Sequence, residues 1–190
     1  MIARIRSILL SINASYWFFP ALFSILAIVL ALATVYLDRN GAAEWLQQFA
    51  WLHPSRPEGA RVTLSVIAGS MIGVASTVFS ITIAAVAYAS GNYGPRLLTN
   101  FMEDRGNQLS LGVFIATFTF SLMVLRTVRG EDERAASAIE EAATSLPGFT
   151  PQLSLLVAMA LAILAVAVLV YFLHHIPASI RINTVLEGIG

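Results

Sequence analysis

The stretch VTLSVIAGSMIGVASTVFSITIAAVAYASGNYGP, Val62–Pro95, carries no charged side chain. A hydrocarbon core of about 30 Å is crossed by about 20 apolar residues in helix. This interval therefore supplies a membrane span with residues to spare. Three further intervals share the property: Ser7–Leu37, Gly106–Leu125 and Ala142–Ile180. Each holds an apolar core of spanning length, and four spans with their loops use up the chain. The expected fold class is all-α, a four-span transmembrane helical bundle with short interfacial helices.

Composition points the same way. Of the 190 residues, 57% are hydrophobic and 12% charged, with a mean hydropathy of +0.77. Soluble domains carry about 25% charged residues. So few charges cannot cover a soluble surface of this size, and the lipid bilayer must solvate much of the exterior. The chain has no cysteine, which removes disulfides, thiolate metal sites and cysteine nucleophiles. All eleven basic residues are arginine. Without lysine there is no Schiff-base chemistry. A formal net charge of zero gives no electrostatic ground for nucleic-acid binding.

The boundaries follow from the charges. Met1–Tyr16 reads as a leader with Arg4 and Arg6, and Trp17–Pro177 as one membrane domain with spans Trp17–Leu37, Val62–Ala89, Ser110–Val128 and Gln152–Leu173. The first run exceeds a signal-peptide core of about 7–15 residues, so it reads as an uncleaved span. The second would reach about 42 Å at 1.5 Å per residue and must tilt, kink or project. Glu44–Leu52 and Leu97–Met102 suit short interfacial helices, the latter ended by Gly106 after a turn at Gly91–Pro95. An acidic loop with Glu131, Asp132, Glu133, Glu140 and Glu141 precedes the fourth span. The basic leader favours both termini in the cytoplasm, although arginine counts on the two sides are nearly equal.

One stripe is informative. Ser65, Gly69, Gly73, Thr77, Ser80, Ala84 and Ala87 recur at helical spacing on the second span, with a GxxxG at Gly69–Gly73. Small residues let helix backbones approach closely, so the stripe predicts helix packing and self-association into a homo-oligomer. Around a shared axis, Ser76, Thr77, Ser80 and Thr82 would line a passive pore. Near the headgroups, Arg96, Arg105 and Arg126 are candidates for lipid-phosphate contact, as anchors.

Catalysis finds no support. No span core holds Asp, Glu, Lys, Arg or His, which argues against an ion-coupled pump or a voltage sensor. Serines have neither a GxSxG nor a base at their depth. His174 and His175 point about 100° apart on a helix and cannot share one metal within a subunit. No catalytic residue, metal or cofactor is expected, and the chain reads as a non-enzyme.

Several strings carry a resemblance: GNYGPRLL (Gly91–Leu98), EDRGNQ (Glu103–Gln108), FIATF (Phe114–Phe118), LRTVRG (Leu125–Gly130), TPQLS (Thr150–Ser154) and YFLHHI (Tyr171–Ile176). In this order they resemble a family of predicted bacterial membrane proteins, domain of unknown function 2254. The resemblance covers nearly the whole chain. It implies a bacterial inner-membrane protein with an N-terminal four-span region and implies no activity. Family members continue into a soluble C-terminal region, so the tail Ala178–Gly190 is expected to be truncated. Two functions follow as expectations: a self-associating membrane domain that forms a passive channel, or an anchor or scaffold for a soluble region or partner protein.

Overall fold

The computed structural model describes residues 17–41, 55–93, 105–129 and 149–187. Among the described residues all regular structure is helical: α1 Phe18–Arg39, α2 Pro57–Tyr93, α3 Arg105–Leu125 and α4 Gln152–Glu187. Each contains a segment long and apolar enough to cross a membrane. The chain runs up, down, up and down, so the start of α1 and the end of α4 lie on one side. We call that the terminal side. The far side holds the end of α1, the start of α2, the end of α3 and the start of α4.

The helices start and stop for local reasons. Asn40 caps the C-terminus of α1. Its amide reaches the Leu37 carbonyl at 3.1 Å, and its Nδ2 donates to the Tyr36 carbonyl at 3.0 Å. Gly41 then turns the chain away at φ +94°, a conformation that glycine adopts without a Cβ penalty. Pro57 opens α2, where its missing N–H costs nothing. At 37 residues α2 reaches about 55 Å. It runs unbroken through Gly91 and Asn92, where a turn was expected, and extends past the bilayer core.

Two other boundaries differ from the sequence expectation. α3 begins at Arg105 instead of Ser110, and Gly106 sits in its first turn instead of ending an earlier helix. The Ser110 hydroxyl donates to the Gly106 carbonyl at 2.7 Å, which holds that turn. α4 continues through His174 to Glu187, beyond the expected end at Leu173. The expected interfacial helices Glu44–Leu52 and Leu97–Met102, and the acidic loop 131–141, lie outside the described residues.

α3 is the central helix. Half of its apolar window is buried, against 22–28% in the other three spans. It packs against all of them, most extensively α1 and α2. Gly112 lets α1 come close: a Cβ there would lie 2.6 Å from Cδ2 of Phe23. Toward the far side, Ala31, Leu64, Phe120, Val124 and Ala158 form one apolar cluster. Toward the terminal side, Met71, Val78, Leu111, Phe114 and Phe172 form a second. The outer faces of α1 and α4 expose large apolar residues such as Ile25, Leu32, Ile163 and Val170, as lipid-facing helices do.

Candidate functional site

Four helix ends are tied together on the far side by polar groups. Pro151 stands where a capping residue would precede α4, and its carbonyl accepts from Leu155 N–H at 3.0 Å. Proline has no side-chain acceptor for the free amides of the first turn. Asp38, in the last turn of α1, takes over that task. Its Oδ1 accepts from Leu153 N–H at 2.9 Å. Its Oδ2 accepts from Ser154 N–H at 2.9 Å and from the Ser154 hydroxyl at 2.8 Å. Asp38 is 6% exposed. An anionic group at a helix N-terminus also meets the positive end of the helix dipole.

Gln152 extends the junction. Its Nε2 donates to the Ser55 carbonyl at 3.0 Å, and its Oε1 accepts from Ser55 N–H at 3.1 Å. This reciprocal pair fixes the approach to α2. Arg61 of α2 donates from Nη2 to the Val128 carbonyl at 3.2 Å. Arg129 N–H donates to the Phe149 carbonyl at 3.2 Å. The Arg39 guanidinium lies 5.4 Å from the centre of the Phe149 ring, within cation–π range.

A second polar group lies inside the bundle toward the terminal side. Thr82 Oγ1 is 2.8 Å from the Val78 carbonyl and 3.0 Å from Asn107 Oδ1. Asn107 is 3% exposed, and its Nδ2 has no hydrogen-bond partner. The buried Ser121 hydroxyl on α3 is likewise unpartnered. Among the described residues no group of His, Cys, Asp and Glu could hold a metal.

The residues singled out from sequence fall in different places. Ser65, Gly69, Gly73, Ser76, Thr77, Ser80 and Ala84 all lie on the exposed face of α2. A Cβ added at Gly69 or Gly73 would meet open space. The hydroxyls there are satisfied within the helix. Ser76 donates to Ile72 O at 2.8 Å, Thr77 to Gly73 O at 3.0 Å and Ser80 to Ser76 O at 2.8 Å. Thr82, grouped with them from sequence, instead points inward and is buried. Arg105 and Arg126 are exposed at opposite ends of α3 and so do not form one site. Arg96 lies outside the described residues. Sequence reasoning missed Asp38, Gln152 and Asn107. An acid directly after an apolar run, and a span that opens on Pro-Gln-x-Ser without its own acceptor, were the available signals.

The chain is 35% identical over 133 residues to an uncharacterized protein of Mycobacterium bovis and to uncharacterized proteins of two strains of Mycobacterium tuberculosis. In each case the match covers 70% of this chain and 23% of the relative. The chain thus spans less than a third of the length of the curated relatives it matches. No solved structure matches it significantly. The model of the family described as predicted membrane protein, DUF2254, matches residues 13–190, and the chain belongs to that family.

Proposed function

We propose that this chain is a non-enzymatic membrane domain that associates with further copies of itself through the outer face of α2. The observation that supports this reading is the open exterior at Gly69 and Gly73. These glycines make no close approach within the subunit, so their small size serves a neighbour outside it. Two backbones can approach there at little steric cost. Ser76, Thr77 and Ser80 already satisfy their hydroxyls along the helix and suffer no desolvation penalty on that face. Around a shared axis the same face would line a passive channel in a bacterial inner membrane, with both termini in the cytoplasm.

The test is the subunit number in native-lipid discs, measured by mass for the wild type and for Gly73→Leu. A closed ring of four or more that falls apart in the variant agrees with the channel reading. An unchanged assembly in Gly73→Leu, or a wild-type monomer, rejects association through this face.

A second reading is an anchor or scaffold for a soluble region or a partner protein. It is favoured by the matched segment being only 23% of the mycobacterial relatives. A wild-type monomer in the discs, with partner proteins cross-linked outside the membrane, would favour it over the oligomer.

A further inference from the structure

Among the described residues, two arginines of the far-side junction take no part in its hydrogen bonds through their side chains. Arg39 ends α1 and stacks on Phe149, while the backbone of Arg129 is tied to the carbonyl of the same Phe149. Phe149 therefore touches both arginines, one through its ring and the other through its carbonyl, although Arg39 ends α1 and Arg129 lies four residues past α3. Both are exposed. Among the described residues neither guanidinium has a carboxylate partner. The carboxylate next in sequence, Asp38, has both oxygens committed to α4. Arg61 is anchored on the adjacent Val128 carbonyl.

The surface below Arg39 is apolar. Tyr36, Leu32 and Val29 lie three, seven and ten residues before it, on the same helical face, and are 58–68% exposed. Two exposed arginines beside Phe149, at the mouth of an apolar ridge, suit a phosphodiester headgroup with acyl chains below it. We propose that Arg39 and Arg129 bind the phosphate of an anionic phospholipid whose chains lie along this ridge of α1. Free inorganic phosphate would use the arginines and leave the ridge without a role. The site is independent of self-association through α2.

The test uses the full chain in discs of phosphatidylcholine and phosphatidylglycerol in equal parts, with retained lipids weighed by native mass spectrometry. Phosphatidylglycerol should be enriched over phosphatidylcholine on the wild type. Arg39→Gln with Arg129→Gln should reduce that preference by about tenfold. Arg39→Lys with Arg129→Lys, which keeps the charge, should retain most of it. Four results would overturn the proposal: no enrichment on the wild type; equal losses in the Gln and Lys variants, which would indicate a structural effect; displacement of the retained lipid by inorganic phosphate; and enrichment only after Glu131, Asp132, Glu133, Glu140 and Glu141 are neutralised, which would make that acidic segment the occupant.

Discussion

Asp38 and Ser154, 116 positions apart, share two hydrogen bonds at one carboxylate oxygen, at 2.9 Å from the amide and 2.8 Å from the hydroxyl. The first helix thereby completes the last. Replacing Asp38 with Ala leaves the part-buried Leu153 amide and the buried Ser154 amide of α4 without their acceptor and should cost about 2–3 kcal/mol. Asp38→Asn should cost less, because its carbonyl still accepts from one of them. Ser154→Ala, which removes only the hydroxyl, should cost about 1 kcal/mol. Thermal unfolding in one lipid composition ranks the three, and a tolerated Asp38→Ala would reject the capping role.

The close pass of α1 over α3 depends on Gly112. Gly112→Ala puts a methyl 2.6 Å from the Phe23 ring, so the ring or the helix must shift. The expected loss is about 1–3 kcal/mol. Phe23→Ala is itself destabilising, but in its background Gly112→Ala should be nearly silent. A double-mutant cycle without coupling would show that the two residues do not meet.

Gln152 and Ser55 form a reciprocal pair across 97 positions. Gln152→Leu removes both bonds and frees the approach to α2, at a cost of about 1–2 kcal/mol. Hydrogen exchange should accelerate at Ser55 while the middle of α2 keeps its protection. Uniform acceleration along α2 would contradict a local tether.

Thr82 and Asn107 offer a different balance. Thr82→Val removes the hydroxyl that meets Asn107 Oδ1 and should destabilise by about 1–3 kcal/mol. Adding Asn107→Leu removes the polar group that suffers. The double variant should therefore lie closer to the wild type than Thr82→Val alone. Ser121→Ala, which deletes an unpartnered hydroxyl, should be neutral or stabilising. Chemical or thermal unfolding of the four proteins in one detergent decides both points.

The four spans were legible because the bilayer excludes charge, and the gaps between charged residues mark the spans directly. Their ends were less so. Arg105 and Glu58 sit inside helices because a helix continues into the headgroup region, where charges are solvated. Periodicity put the small residues on one side of α2, since 3.6 residues per turn fix which residues share a side, and they are exposed there. It did not give the direction of that face, because periodicity carries no information about the neighbour. Thr82 was misgrouped for the same reason: two residues after Ser80, it lies on the other side of the helix. The far-side junction was hidden because its bonds join residues far apart in the chain, up to 116 positions. Of the strings behind the family resemblance, LRTVRG and TPQLS meet there, through Val128, Arg129, Gln152 and Ser154.

The borrowed cap on α4 has a consequence for biogenesis. A ribosome makes α1 first and α4 last, so the Asp38 carboxylate is synthesised long before the amides that will receive it. Until then it must stay in water at the membrane surface, since an unpaired acid is expelled from hydrocarbon. The bundle therefore closes only when its final helix is inserted. Chains stalled after α3 should leave position 38 open to water-soluble labels, and completed chains should shield it.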